Sequence, residues 1–175
     1  MRDIYLGDSY DIVKRFWSHT FRPISPLYAH ARFVPAPIRQ DYETITSIPV
    51  TEMPPKESFG ILLDPHTGIP LPGDGNRRPT ASHAPLEFIV QLIGEWHPQY
   101  MITFDQSYHR RHKLNREQQR AAKMAFLASA NIPSIYYVSH APFLICSNVD
   151  GILLRIRESM IASGIPESRL ETYDA

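Results

Sequence analysis

Three apolar segments of this chain each end at an aspartate. Ile4-Tyr5-Leu6-Gly7 precedes Asp8, Ile61-Leu62-Leu63 precedes Asp64, and Met101-Ile102-Thr103-Phe104 precedes Asp105. In open α/β sheets, ligands bind in the crevice beyond the carboxyl ends of the strands. Carboxylate oxygens are the ligands that Mg²⁺ and Mn²⁺ prefer. The pattern predicts that Asp8, Asp64 and Asp105 hold a divalent ion, which would activate water or clamp a phosphoryl group.

Two of these aspartates also have ordinary structural interpretations. Asp8 can cap the helix predicted after it, while Asp11 complements the helix dipole in the first turn. Asp64 opens the sequence Asp-Pro-His-Thr-Gly, which is typical of a turn and places His66 beside the acid. The helix start after Gly7 could also bind an anion through its backbone N–H groups. The sequence leaves these alternatives open.

A basic segment follows Asp105. Six basic residues and one acid occupy positions 110–123, and they are Arg110, Arg111, Lys113, Arg116, Arg120, Lys123 and Glu117. Arginine binds phosphate through two parallel hydrogen bonds, so we expect Arg110 and Arg111 to contact an anionic substrate, with Ser9 as a further polar contact. Arg116, Arg120 and Lys123 share one helix face, which is either part of this site or a solvated surface.

A histidine stands just past a late predicted strand. His140 follows residues 135–138, and its ordinary pKa near neutrality suits acid–base chemistry. The candidate catalytic residues are therefore Asp8, Asp105 and His140. The alternative for His140 is a structural, hydrogen-bonded role.

Short blocks of the chain resemble known families. Gly7-Asp8-Ser9 resembles the nucleophile block of the GDSL hydrolases, which implies Ser9 as nucleophile and His140 as base, although the Gly-x-Asn-Asp block of that family is absent. The positions of Asp8 and Asp105 are similar to two acids of the PIN-type nucleases. Residues 7–15 and 64–69 together resemble a set of uncharacterised bacterial α/β proteins, and that resemblance implies no activity.

The apolar periodicity predicts four helices, at residues 9–21, 85–96, 116–130 and 149–163, and the first should turn Ile12, Val13, Phe16, Trp17 and Phe21 inward. The predicted strands are 4–6, 59–63, 100–104, 135–138 and 143–146, with a weaker one at 44–50. Near-continuous apolar strands are typical of parallel sheets buried on both faces. We therefore predict a three-layer, Rossmann-like α/β/α sandwich with a mostly parallel sheet, formed by a single domain over residues 1–175.

Composition limits the function classes. Lysine plus arginine and aspartate plus glutamate number 18 each, so net charge indicates neither nucleic acid nor an anionic membrane as partner. Twelve of the 16 prolines fall in an excursion over residues 23–85. The single cysteine, Cys146, excludes an internal disulfide and should be buried, and the start of the chain has no signal-peptide pattern. These features favour a soluble cytoplasmic protein.

The function predicted from these patterns is a divalent-metal-assisted hydrolase of a phosphorylated or nucleotide-like substrate. Two alternatives stay open at this point. One is a non-catalytic module that binds a small anion or a protein, in which the acids are caps and turn residues. The other is a serine esterase that uses Ser9.

Overall fold

The computed structural model describes residues 6–73 and 78–173. Within them the chain forms five α-helices: α1 (Ser9–Phe21), α2 (Arg39–Thr46), α3 (Leu86–Trp96), α4 (Arg116–Ser129) and α5 (Ile152–Ala162). It also forms seven strands: β1 (Leu27–His30), β2 (Val50–Thr51), β3 (Gly60–Leu63), β4 (Tyr100–Phe104), β5 (Ser134–Tyr137), β6 (Phe143–Cys146) and β7 (Leu170–Thr172). The fold is therefore mixed α/β.

All seven described strands belong to one sheet in the order β2-β1-β3-β4-β6-β5-β7. The pairs β1–β2, β1–β3 and β3–β4 are parallel, whereas β4–β6, β5–β6 and β5–β7 are antiparallel. It follows that β6 and β7 run against the other strands. The predicted parallel arrangement thus holds from β2 to β4. In the other half of the sheet, β6 follows β5 through a hairpin and pairs with β4 in the antiparallel direction.

The two faces of the sheet pack against different helices. Alternate residues of the central strands belong to two core clusters, because successive side chains in a strand point to opposite faces. Leu62 and Ile102 join side chains of α1, α2 and α5 in one cluster. Ile61 and Met101 join side chains of α3 and α4 in the other. The central strands are buried throughout, as their apolar composition predicts.

Most of the predicted elements are present, and the exceptions lie near the prolines. The helices predicted at 9–21, 85–96, 116–130 and 149–163 correspond to α1, α3, α4 and α5, and four predicted strands correspond to β3, β4, β5 and β6. The strand predicted at 44–50 is wrong, because α2 continues to Thr46 and Ser47 then adopts the left-handed conformation with φ 57°. The strand predicted at 4–6 falls almost wholly outside the described residues.

Helix α1 turns a charged face toward the sheet. Its buried residues are Asp11, Lys14, Trp17 and Phe21. Ile12, which apolar periodicity places inside, is 65% exposed, so that prediction is wrong. Burying ions while exposing an isoleucine costs free energy unless the ions find partners. In this orientation of α1, Lys14 is paired with Asp11 and Asp64.

Candidate functional site

The strand-end acids Asp64 and Asp105 lie at one edge of the sheet. Each is the first residue after its strand, and β3 and β4 are adjacent and parallel, with Leu63 paired to Thr103. Strand β5 runs in the same direction as β4, so the turn after β5 brings His140 to this edge as well. The sheet topology thus places three of the predicted site residues at the same edge.

Asp8 is the cap of α1. Its Oδ1 accepts hydrogen bonds from the backbone N–H groups of Tyr10 at 2.8 Å and Asp11 at 3.3 Å. This confirms the helix-capping interpretation of Asp8. Gly7, with φ 85°, makes the turn into the helix, and its N–H donates to Asp11 Oδ2 at 2.8 Å. The start of α1 is thereby tied to the carboxylate of Asp11.

Lys14 joins α1 to the end of β3. Its Nζ lies 2.8 Å from Asp11 Oδ1 and 2.6 Å from Asp64 Oδ2, and the three side chains are at most 5% exposed. Burial by itself lowers the pKa of Lys14, but the combined effect of Asp64 and Asp11 is larger and raises it. The ammonium group therefore stays charged. Tyr42 of α2 lies close by, and burial, Asp64 and Asp11 raise its phenol pKa well above the ordinary range.

The carboxylate of Asp105 is engaged on both oxygens. Oδ1 accepts from the N–H of Ile69 at 2.9 Å, the N–H of Ser107 at 3.1 Å and the Ser107 hydroxyl at 2.5 Å. Oδ2 accepts from Lys123 Nζ at 2.6 Å and Tyr136 Oη at 2.6 Å. A carboxylate offers about four lone-pair sites. These five donors therefore saturate Asp105, whose neighbours are protein groups from four segments.

Among the described residues, Asp8, Asp64 and Asp105 line two cavities. Cavity A, of about 430 Å³, is lined by Asp8, Tyr10, Asp11, Lys14, Asp64, Pro65, His66, Thr67, Ser82, Phe104 and Gln106. Cavity B, of about 310 Å³, is lined by Asp105, Gln106, Ser107, Arg116, Gln119, Arg120, Lys123, Tyr136, Val138, Ser139, His140 and Pro142. Both volumes fall in the range of small-molecule sites. Gln106 belongs to both linings.

The chain was compared with protein-family models, with curated proteins and with solved structures, and none of them matched. No helix in residues 6–73 and 78–173 has the length and apolar character needed to cross a bilayer.

The predicted metal ligands are divided between the two cavities. Asp8 and Asp64 line cavity A, whereas Asp105 lines cavity B and faces Lys123. Across the described ranges, no three or more His, Cys, Asp or Glu side chains are grouped so as to hold a metal ion. Lysine ammonium groups stand against Asp64 and Asp105, where an ion would have to bind. A site for Mg²⁺ or Mn²⁺ stays a prediction, and of its three predicted ligands Asp8 and Asp64 line the same cavity.

Of the remaining predicted site residues, His140 lines one of the two cavities, and Arg110, Arg111 and Ser9 line neither. Arg110 and Arg111 are exposed in the turn before α4 and are not among the residues lining either cavity. Ser9 is exposed on α1, and the α1 residue that approaches His140 is Tyr10, with ring centroids 6.0 Å apart. His140 itself lines cavity B.

The site also contains residues that motif reasoning did not select. Lys14 contacts the strand-end acid Asp64, and Gln106 joins the linings of the two cavities. For Lys14 a signal was available, because Asp11 and Lys14 are spaced three apart in register with Trp17. Two charges on the apolar face of a helix indicate a buried ion pair. Gln106 carries no comparable signal in the sequence.

Proposed function

We propose that the carboxyl edge of the sheet binds a small phosphorylated or nucleotide-like ligand, with the phosphate in cavity B. The observation that supports this proposal is the basic face of α4. Arg116, Arg120 and Lys123 all line cavity B, and their exposure falls from an exposed arginine through an intermediate one to a buried lysine. Cationic donors arranged along the wall of a cavity complement a phosphate better than scattered surface lysines do.

The donors of cavity B are held in place by their neighbours. Arg120 makes two hydrogen bonds to Glu171, at 2.6 and 2.5 Å, and its guanidinium carbon lies 5.6 Å from the centroid of the Tyr136 ring. The guanidinium of Arg116 lies 5.1 Å from the centroid of the Tyr108 ring. Preorganised donors lose less entropy when a ligand binds. His140, which also lines cavity B, would supply a group able to donate or accept a proton.

Calorimetric titration with inorganic phosphate and with AMP tests the phosphate proposal. We expect both to bind, and we expect Arg116→Gln to weaken binding about tenfold or more, since a hydrogen bond to a charged group contributes about 1.5–3 kcal/mol. Arg110→Gln is the matched control, because it removes the same charge from an exposed turn outside the cavity. Absence of binding, or equal weakening by both substitutions, would contradict the proposal.

A second candidate is the metal-assisted hydrolase, which the sharing of cavity A by Asp8, Asp11 and Asp64 favours. In this proposal Asp8 and Asp64 bind Mg²⁺ or Mn²⁺, and His140 acts as acid or base. Asp8→Asn separates metal binding by Asp8 from its capping of α1, because asparagine caps a helix as well as aspartate does. We expect Mn²⁺ to raise the melting temperature of the wild type but not of this variant. Asp41→Asn, at an exposed position, is the control, and equal shifts in all three proteins would refute the candidate.

We further propose that the layers form a Rossmann-like α/β/α sandwich. The separation of the core into two clusters, with α1, α2 and α5 in one and α3 and α4 in the other, supports this arrangement. In such folds ligands bind at the carboxyl edge of the sheet, which is the edge where both cavities open.

A further inference from the structure

The two cavities carry formal charges of opposite sign. Among the described residues that line cavity A, three aspartates and one lysine give a formal charge of −2, with histidine counted as neutral. Among those that line cavity B, two arginines, one lysine and one aspartate give a formal charge of +2. Glu171, which pairs with Arg120, lowers the effective value in B without changing its sign. Complementary potentials of this kind select and orient a ligand whose two ends differ.

Gln106 stands at the junction of the cavities. Its Nε2 donates to Tyr10 Oη at 2.5 Å and to the carbonyl oxygen of His140 at 3.2 Å. Tyr10 lines cavity A and His140 lines cavity B, with their ring centroids 6.0 Å apart. Gln106 therefore lies between a residue of each cavity, and its own side chain is exposed and belongs to both linings.

We infer that the cavities form one bipartite site for a ribose phosphate, either free or as part of a nucleotide. The inference rests on the proposed function, because it assigns the phosphate to cavity B. The sugar hydroxyls would donate to the carboxylates of Asp8 and Asp64 in cavity A. Acids just past the ends of parallel strands accept hydrogen bonds from ribose hydroxyls in dinucleotide-binding folds.

The rest of cavity A suits this assignment. Tyr10 and Phe104 pack edge to face with ring centroids 5.4 Å apart, and both line the cavity. Their ring surfaces complement the apolar faces of a sugar or of an attached base, while the neighbouring carboxylates take its donors. Asp64 is fixed by Lys14, so its position does not depend on the ligand. Gln106 is the positioning residue that would orient the bond between sugar and phosphate.

A titration series on the full chain tests the inference at constant ionic strength. The probes are inorganic phosphate, ribose, ribose 5-phosphate and phosphoethanolamine. We expect ribose 5-phosphate to bind at least tenfold more tightly than inorganic phosphate, and ribose alone to bind more weakly than either. If ribose 5-phosphate only equals phosphate, the bipartite site is refuted while the phosphate proposal stands. If no phosphate compound binds, both fail. Tighter binding of phosphoethanolamine would assign cavity A to an amine and overturn the ribose assignment.

Substitutions test the assignment of the sugar to cavity A and of the phosphate to cavity B. Asp8→Asn and Gln106→Ala should each reduce the advantage of ribose 5-phosphate over phosphate to less than threefold. Arg116→Gln should weaken both ligands by the same factor. Gln91→Ala removes an exposed amide on α3, outside both cavities, and should change neither affinity. An unchanged advantage in both Asp8→Asn and Gln106→Ala would refute the inference.

Discussion

The ammonium group of Lys14 lies 2.6 Å from the carboxylate of Asp64, across fifty positions of sequence. This ion pair joins the first described helix to the end of a central strand, and the same ammonium group binds Asp11 at 2.8 Å. Both contacts are buried. The acid predicted from its strand-end position is therefore a partner of a lysine that no motif had selected.

Replacing Lys14 tests how much the buried ions contribute. Lys14→Met leaves Asp11 and Asp64 without their cation, and removing one partner of a buried pair costs about 3–5 kcal/mol of unfolding free energy. Urea unfolding followed by circular dichroism measures this change. Arg15→Met alters the adjacent, exposed position of α1 and should cost less than about 0.5 kcal/mol. Similar losses in both variants would contradict a specific role for the Lys14 pair.

Asp105 should behave as a structural residue. Tyr136→Phe removes one hydrogen bond to its carboxylate and should cost about 1.5–3 kcal/mol, since that bond reaches a charged group. Asp105→Asn should cost more, because it also leaves the buried ammonium of Lys123 uncompensated. Chemical denaturation measures both losses, and Asp41→Asn on the exposed side of α2 serves as control. A variant at Asp105 as stable as the wild type would show that the saturated carboxylate contributes nothing net.

Gly68 is expected to tolerate no side chain. Its φ of 129° is unfavourable for other residues, and a Cβ there would lie 2.6 Å from the Cα of Asp105. Gly68→Ala should therefore lower the melting temperature by several degrees and weaken binding in cavity B. Gly94→Ala is the matched control, because a Cβ at that helical position meets no atom within 4 Å and should stabilise α3 by up to about 1 kcal/mol. An unchanged melting temperature in Gly68→Ala would contradict the close approach of Gly68 to Asp105.

His30 gives stability a dependence on pH. Burial, followed by the charge of Arg32, lowers the pKa of His30 from 6.5 to about 4. Because the unfolded chain binds this proton more readily, the stabilising contribution is present above pH 6.5 and is lost as the pH falls toward 4. NMR titration should give a midpoint near 4 for His30. His30→Gln should flatten the stability profile in this range, while His19→Gln, on the exposed side of α1, should not. A midpoint near 6.5 would contradict the prediction.

The sequence predicted the parts of the fold that follow from periodicity. Helix α1 and strands β4 and β6 have the predicted bounds, and Cys146 is buried as expected. Strand β1 was missed because its sequence, Leu-Tyr-Ala-His, is only half buried and lacks the continuous apolar run by which the other strands were predicted. Apolar periodicity predicted that Ile12 would be buried. The ion pair between Lys14 and Asp64, which are fifty positions apart, instead turns the charged face of α1 inward.

The candidate site was predicted as a location more than as a set of contacts. Parallel strands bring Asp64 and Asp105 to one edge, and that follows from the order of elements. The partner of each acid depends on tertiary packing: Lys14 comes from an earlier helix, and Lys123 from a later one. Only spatial neighbours decide whether a carboxylate binds an ion, caps a helix or pairs with a lysine.

The hydrogen bond from Ile69 N–H to Asp105 has a consequence for hydrogen exchange. Ile69 lies in the long connection between β3 and α3, where backbone amides ordinarily exchange fast. Its acceptor is also bound to side chains from α4 and β5, so the amide can open only when those contacts break. The Ile69 amide should therefore exchange at the rate of the strands and join their cooperative unit, although it belongs to a loop.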